Sequence, residues 1–327
     1  MITARPSVST RRVGHLLLGL VAAAAATVHP NAQSPRVGDS ADAASQTTSQ
    51  TTFKSDTDLV VLHVNVFDER SDAVPNLPES AFRVYEEDEP QEITFFSSAD
   101  VPVAVGLVLD GSSSMITRRS MVVTGADAFI RASHPEDELF AIFFNERVMF
   151  GLPGTVPFTS QPQLLRAAMG RYQAGGMTAL HDAVIAGLDH LERATHQKRV
   201  LVVLSDGKDN ASRHRRDEML DRVRQSNAIV YTVSNASRRT GGDADPRLLR
   251  RLADSGGGVA YFPDSDDEVV ESLDEIAGNV RRGYLIGYVP RNATHDGGFR
   301  RVKVTVSAPS RGRLNARSRE GYEAHAH

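Results

Sequence analysis

Asp110, Ser112 and Ser114 lie in the stretch VAVGLVLDGSSSM (103–115), one carboxylate and two hydroxyls at alternate positions where an aliphatic run ends. In a tight turn, alternate side chains converge on one point, so this spacing gathers oxygen atoms. Two further segments carry oxygen at comparable places. Thr178 follows the Gly175-Gly176 turn of GGMTALHDA, and Asp206 stands where the aliphatic run VLVVLS stops, ahead of GKDN. The set is two carboxylates and three hydroxyls, without imidazole or thiolate. Hard oxygen donors of this kind suit Mg²⁺, with Mn²⁺ or Ca²⁺ as alternatives, rather than Zn²⁺ or Cu²⁺. Mg²⁺ wants near-octahedral coordination at about 2.0–2.1 Å and gives up water reluctantly. Some of these oxygens are therefore expected to act through water. One position is left for an outside ligand, which an Asp or Glu of a partner fits best.

Other groups near this set admit two roles each. Asp182 either orients a bound water or backbone amide around the ion or stabilises the N-terminus of its own helix. Asp209 has the same first role, or serves as a turn or N-cap residue. A Ser113 nucleophile, with His181, His214, Asp206 and Asp209 at hand, is the enzymatic alternative. It lacks the G-x-S-x-G elbow of serine hydrolases, because Gly111-Ser112-Ser113-Ser114-Met115 has no second glycine. Nor is there a glycine-rich phosphate loop with its lysine. Gly256–Gly258 fits a helix-to-strand turn. The sequence thus points to binding rather than catalysis. The remaining rival is structural, with the hydroxyls and acids merely bracing helix N-termini, although two carboxylates brought together repel and a cation is the simplest remedy.

The elements that must position these groups follow from periodicity. VPVAVGLVL, ELFAIFF, KRVLVVLS and AIVYTVS are aliphatic strands of the kind that helices cover on both faces. Helical patterning falls at about 117–133, 162–171, 179–194, 212–226, 246–254 and 266–281. The alternation predicts an α/β fold with a doubly wound, mostly parallel sheet flanked by helices. In such a sheet, ligands sit at the carboxyl ends of the strands. Asp110, Thr178 and Asp206 then share one rim.

On either side the pattern is that of strands alone. Val60, Leu62, Val64 and Val66 alternate with Val61, His63, Asn65 and Phe67, and AFRVYEEDEP and QEITFFSS follow. His63 reads as an ordinary strand histidine. Beyond Arg282, YLIGYVP and FRRVKVTVSA alternate cleanly, and His295-Asp296-Gly297-Gly298 between them is a hairpin-turn signal. Neither flank makes a good core alone. The expected organisation is therefore a signal peptide (1–32), a flexible linker (33–57), the α/β domain (101–280), and a smaller β-rich module built jointly from 58–100 and 283–323.

The D-x-S-x-S of Asp110, Ser112 and Ser114, with the later Thr178 and Asp206 in order on alternating strands and helices, resembles the metal-ion-dependent adhesion site of von Willebrand factor type A domains. The resemblance spans roughly residues 101–280 and implies a Rossmann-like fold. It implies that Ser112, Ser114 and Thr178 ligate the ion directly or nearly so, and that Asp110 and Asp206 do so directly or through water. The flanks resemble those of a bacterial exported subgroup, with NLPESAFRVYEEDEPQEITFF before the domain and GYLIGYVP after it. One departure is His181, where such domains often carry tyrosine.

Composition bounds the rest. Arg5, Arg11 and Arg12 precede an apolar run from Leu16 to Val28, the pattern of a secretory signal, with cleavage after Ala26 or Ala32. The run is shorter than the roughly 20 residues of a membrane-spanning helix, so no transmembrane span is expected in the mature chain, which is secreted or periplasmic. Processing removes three of the 37 basic residues and none of the 41 acidic ones, leaving a net charge of about −7. That charge disfavours nucleic acid as a partner. RHRR (213–216) and RRL (250–252) fall in helical patterning and read as solvated faces. With no cysteine in the chain, thiolate chemistry and disulfides are excluded.

Overall fold

A buried strand must pair its amide groups on both sides, and the segments between the aliphatic runs bring those runs together. The computed structural model describes residues 59–234 and 244–324. The expected signal peptide (1–32) and linker (33–57) lie outside the described residues.

In chain order, the N-terminal flank gives β1 (Val60–Phe67), β2 (Phe82–Glu86), β3 (Glu89–Gln91) and β4 (Ile93–Ser97). β2 and β3 form a hairpin, and its turn residues Glu87 and Asp88 both have positive φ, 47° and 67°, as a two-residue turn of matching twist requires. An alternating region follows: β5 (Ala104–Asp110), α1 (Arg119–Ala132), β6 (Glu138–Phe144), β7 (Val148–Phe150), α2 (Pro162–Arg171) and α3 (Leu180–Leu191). It continues with β8 (Arg199–Ser205), α4 (Arg216–Gln225), β9 (Ala228–Ser234), α5 (Pro246–Ser255), β10 (Gly257–Tyr261) and α6 (Asp266–Arg282). β11 (Tyr284–Tyr288), β12 (Phe299–Val306), β13 (Asn315–Arg317) and β14 (Gly321–Glu323) close the described chain.

The alternating region forms one sheet in the order β10-β9-β8-β5-β6-β7. Every neighbouring pair is parallel except β6–β7. This is the doubly wound, mostly parallel architecture expected from the sequence. β7 was not foreseen, because three residues on a half-exposed edge carry almost no periodic signal. From β5 the chain moves to β6 on one side, then returns to β8 on the other. The strand order therefore reverses between β5 and β8, and their carboxyl ends diverge into a crevice. α3 lies very close to this part of the sheet. A Cβ on Gly187 would come within 2.8 Å of Leu201 and 3.2 Å of Val108, so a side chain there would push the helix away.

The flanking strands make two further sheets, β13-β1-β11-β4 and β14-β12-β2-β3. Strands from opposite ends of the chain pair directly: Val60 lies opposite Tyr288, and Val302 opposite Glu86. Leu62, Val64, Phe82, Val84, Ile286 and Val304 belong to one shared apolar cluster. The expectation of a hairpin at 295–298 is corrected, since β11 and β12 sit in different sheets and do not pair. Gly297, with φ of 69°, still turns the chain, but it redirects it from one sheet to the other. Alternation marks a strand and its two faces; it does not name the neighbour. Among the described residues no helix is long and apolar enough to cross a membrane.

Glu86 is buried within the flanking sheets, where it accepts hydrogen bonds from the Tyr288 hydroxyl (2.7 Å) and the Tyr322 hydroxyl (2.9 Å). Removing the carboxylate strands two donors. Glu86→Ala is expected to destabilise the protein by on the order of 2 kcal/mol in urea unfolding, with Glu86→Gln, which keeps an acceptor, well below that. Equal losses in the two variants would show that the hydroxyls need no partner there.

Candidate metal centre

Asp110 is the last residue of β5 and is fully buried. One carboxylate oxygen accepts from the Ser112 backbone N–H at 2.8 Å, and the other accepts from the Ser205 hydroxyl at 2.7 Å. Its backbone carbonyl accepts from the Tyr172 hydroxyl. The turn that follows is tight because Gly111 donates to the Phe144 carbonyl (2.6 Å), and a Cβ on Gly111 would meet the Tyr172 ring at 2.7 Å. The chain then winds into a single 3-10 stretch, Ser113–Arg118, before α1 begins at Arg119. The helix expected from 117 thus starts two residues later, the 3-10 turns being what folds Ser112 back toward Ser114. Their hydroxyl oxygens lie 3.0 Å apart.

The other two loops are fastened to this one. Ser113 donates both its N–H (3.1 Å) and its hydroxyl (2.9 Å) to the Gly176 carbonyl, and Gly175 N–H donates to the Gly111 carbonyl (2.7 Å). Thr178, two residues on, donates its N–H to the Asn210 side-chain oxygen at 2.8 Å, and its carbonyl accepts from Asn210 and Ala211 N–H at 2.9 and 3.0 Å. Asp206 follows β8 directly, with one oxygen accepting from Lys208 N–H at 3.0 Å. Ser205 joins the two acidic segments by donating to Asp110 and accepting from Gly207 N–H (3.1 Å). Asp110, Ser112, Ser114, Thr178 and Asp206 are therefore carried on three loops hydrogen-bonded to one another at the sheet's switch point. Ser112, Thr178 and Asp206 are buried, whereas Ser114 is exposed.

Burial pushes the Asp110 carboxyl up to about 6. The hydrogen bonds from Ser205 and Ser112 work against that rise, and the nearby Asp206 charge adds to it. Its hydrogen bonds to Ser112 and Ser205 come from neutral groups, so they stabilise the anion without cancelling its charge.

The donor chemistry fits a divalent cation that prefers oxygen. Neighbouring oxygens around octahedral Mg²⁺ lie about 2.9 Å apart when the bonds are about 2.0–2.1 Å, and the Ser112–Ser114 separation is within a tenth of an ångström of that. A carboxylate made costly chiefly by burial, with a nearby acid adding to the cost, is the electrostatic counterpart.

Asp182 and Asp209 are occupied by nearby backbone amides and side chains. Asp182 accepts from Arg213 N–H and His214 N–H and from the His214 ring (2.8 Å). Asp209 accepts from His181 N–H at 3.0 Å, in the first turn of α3, and from the Ser212 hydroxyl at 2.5 Å. These bonds pin residues 209–214 as a loop, which delays α4 to Arg216 where helix was expected from 212. His181 is buried, with Nδ1 3.1 Å from the His214 carbonyl. The Ser113 hydroxyl serves as a loop tie to Gly176.

Ser205, Asn210 and Tyr172 escaped the sequence reading. Ser205 had the only local signal, a polar residue closing an aliphatic strand beside Asp206. Asn210 and Tyr172 act across 32 and 62 residues, which no spacing rule reports.

The sheet and its crevice define a Rossmann-like α/β domain whose topological switch point lies between β5 and β8. The family model of the von Willebrand factor type A domain matches residues 105–276, and the chain belongs to this family. No curated protein matches it. Among solved structures, a von Willebrand factor type A protein from Catenulispora acidiphila is similar at 14% identity and TM-score 0.50, covering 84% of this chain and 75% of its own. BatB from Bacteroides thetaiotaomicron is 15% identical with TM-score 0.44, covering 54% of this chain and 98% of that one. The domain of the type V pili tip protein Mfa5 from Porphyromonas gingivalis is 10% identical with TM-score 0.47, covering 56% of this chain and 96% of that one.

Because the Asp110 pKa in the folded, metal-free protein lies above its ordinary 3.8, the folded state binds more protons than the unfolded one between the two values. Asp110 therefore costs stability as pH rises from about 4 to about 6. In chelator, Asp110→Asn is expected to be more stable than the parent at pH 7 by up to roughly 3 kcal/mol, with the advantage gone below about pH 4. Urea unfolding at a series of pH values checks this; a pH-independent difference would mean that Asp110 carries no burial penalty.

Proposed function

We propose that the protein is an exported, non-enzymatic adhesion-type module that grips a partner protein through a divalent cation. Asp110, Ser112, Ser114, Thr178 and Asp206 would hold the ion, Mg²⁺ ahead of Mn²⁺ or Ca²⁺, and an Asp or Glu of the partner would complete its coordination. When bound, the cation supplies a concentrated positive charge with a position open to an outside oxygen. The observation that carries this reading is a fully buried Asp110 with the charge of Asp206 near it among three linked loops, a cluster with charge to neutralise and hydroxyls ready to share the task.

The protein's own residues account for the remaining requirements. Ser205 and the Ser112 amide orient the Asp110 carboxylate, and Asn210 fixes the backbone of Thr178. Ser114 lies at the surface, giving an outside carboxylate a way in. Beside it Ile116 is 59% exposed, and next to Thr178 Met177 is 52% exposed. Apolar side chains rimming a polar centre are what a protein contact would cover. Ser113 donates its hydroxyl to the Gly176 carbonyl and not to a general base, which supports the non-enzymatic reading. Export rests on the basic residues and apolar run of 1–32, and placement as secreted or periplasmic follows from it. The acidic charge of the processed chain argues against nucleic acid as the partner.

Mg²⁺ is expected to raise the melting temperature of the parent protein and to leave Asp110→Ala and Asp206→Ala unshifted, with both variants folded by circular dichroism. Unchanged Mg²⁺ affinity of both variants in calorimetry would reject the ligand set. Capture of the partner from envelope extract should be lost in chelator, whereas a cation that only braces the fold would leave capture intact.

A further inference from the structure

The amino-terminal edge of the same sheet, opposite the edge that carries Asp110, has its own concavity. Gln197 just before β8 and Asn227 just before β9 line it from the α/β side, and β1, the 289–295 segment and residues 319–324 line it from the flanking sheets. Its volume is about 710 Å³, within the range of roughly 300–1,000 Å³ typical of small-molecule sites, which favour such seams.

The charge on its wall is unbalanced. Arg319 gives one hydrogen bond to the Asn227 side chain and one to the Val61 carbonyl (3.3 Å), and its guanidinium lies 5.5 Å from the centre of the Tyr322 ring. A guanidinium has five N–H groups, and its Nε is buried without a partner among the described residues. Among the described residues no carboxylate pairs with Arg319. The two acids on the same wall are engaged elsewhere, Glu192 with Arg222 and Glu323 with Gln225 (2.7 Å). Burial holds Arg319 down to about 10, well below the ordinary arginine range. Beside it His63 is 7% exposed, and its Nδ1 is also without a partner. Burial, together with the charges of Lys198 and Arg319, depresses His63 to about 3, so the ring is neutral in a field that is already positive. Arg319 is half-buried; a charge so far withdrawn from water is normally paired, and a guanidinium is shaped to take both oxygens of a carboxylate.

We propose that this cavity binds a small organic carboxylate, whose acid group meets the Arg319 guanidinium and whose apolar body lies along Leu59, Val289 and the Tyr322 ring. Leu59 and Val289 are 48% and 37% exposed, so such a body would cover apolar surface now open to water. The site is independent of the cation centre, being at the opposite edge of the sheet and built from other residues.

The test uses octanoate and 3-phenylpropionate, with octanamide and 3-phenylpropionamide as uncharged matches, in calorimetry and thermal melting. All titrations run in chelator, so the outcome does not depend on the cation centre. The acids are expected to bind saturably and raise the melting temperature, with the amides at least about tenfold weaker. Arg319→Gln should weaken the acids by a similar factor. Should that variant fail to fold, Val289→Trp, which fills the cavity from its open side and leaves the charge in place, should abolish binding without lowering the melting temperature. The proposal is overturned if neither acid binds up to about 10 mM, if acids and amides bind alike, or if folded Val289→Trp binds as the parent does.

Discussion

Asp110 sits where a carboxylate is least comfortable, at the buried end of a central strand with Asp206 across the switch point. Water is excluded there because β5 has strands on both sides and α3 packed closely over it. The hydrogen bonds to its carboxylate come from Ser112 and Ser205, both neutral, so the acid is oriented without being neutralised. An arginine in the place of Ser205 would make a quieter core and an inert one. The three linked loops around this acid hold their shape through backbone bonds that do not depend on a cation, which is what preorganisation of a binding site requires. On the proposed reading, the cost of burying the acid is what a bound cation would relieve.

The rest of the fold can be understood as support for that placement. A doubly wound sheet brings the ends of β5 and β8 to one crevice, and the return of the chain through α3 delivers Thr178 to the same edge. Asp182 and Asp209 were ambiguous as residues of a sequence. In the structure they spend their oxygens on the 209–214 backbone, on His181 and on Ser212, which fixes the loop that carries Asn210 to Thr178.

The flanking strands add a second level of organisation. β1 and β11, separated by more than two hundred residues, pair side by side, so both ends of the described chain fold on one another beside the α/β domain. That closure buries Tyr284 and Tyr288 and supplies each hydroxyl with an acceptor, the Val74 carbonyl and Glu86. It also creates the seam in which Arg319 lies without a counter-ion among the described residues. A seam between two cores is where packing is least able to satisfy every charge, and so where a ligand has most to offer.

The oxygen-bearing residues, the four buried parallel strands and the helices between them were legible in the amino-acid sequence, because burial on both faces leaves unbroken aliphatic runs and the hydroxyls fall at their ends. The same local rules failed wherever a partner had to be chosen. The turn at 295–298 was visible, but not that it leads from β11 into another sheet; the edge strand β7 was too short to show a period. Ser205, Asn210 and Tyr172 are ordinary residues whose roles arise from contacts 95, 32 and 62 positions away. The chain alone thus determined which atoms can do chemistry and which elements bear them. Only the tertiary structure decided how those atoms are tied, how deeply Asp110 is buried and that Arg319 meets no carboxylate among the described residues, since each is a property of neighbours brought together by folding.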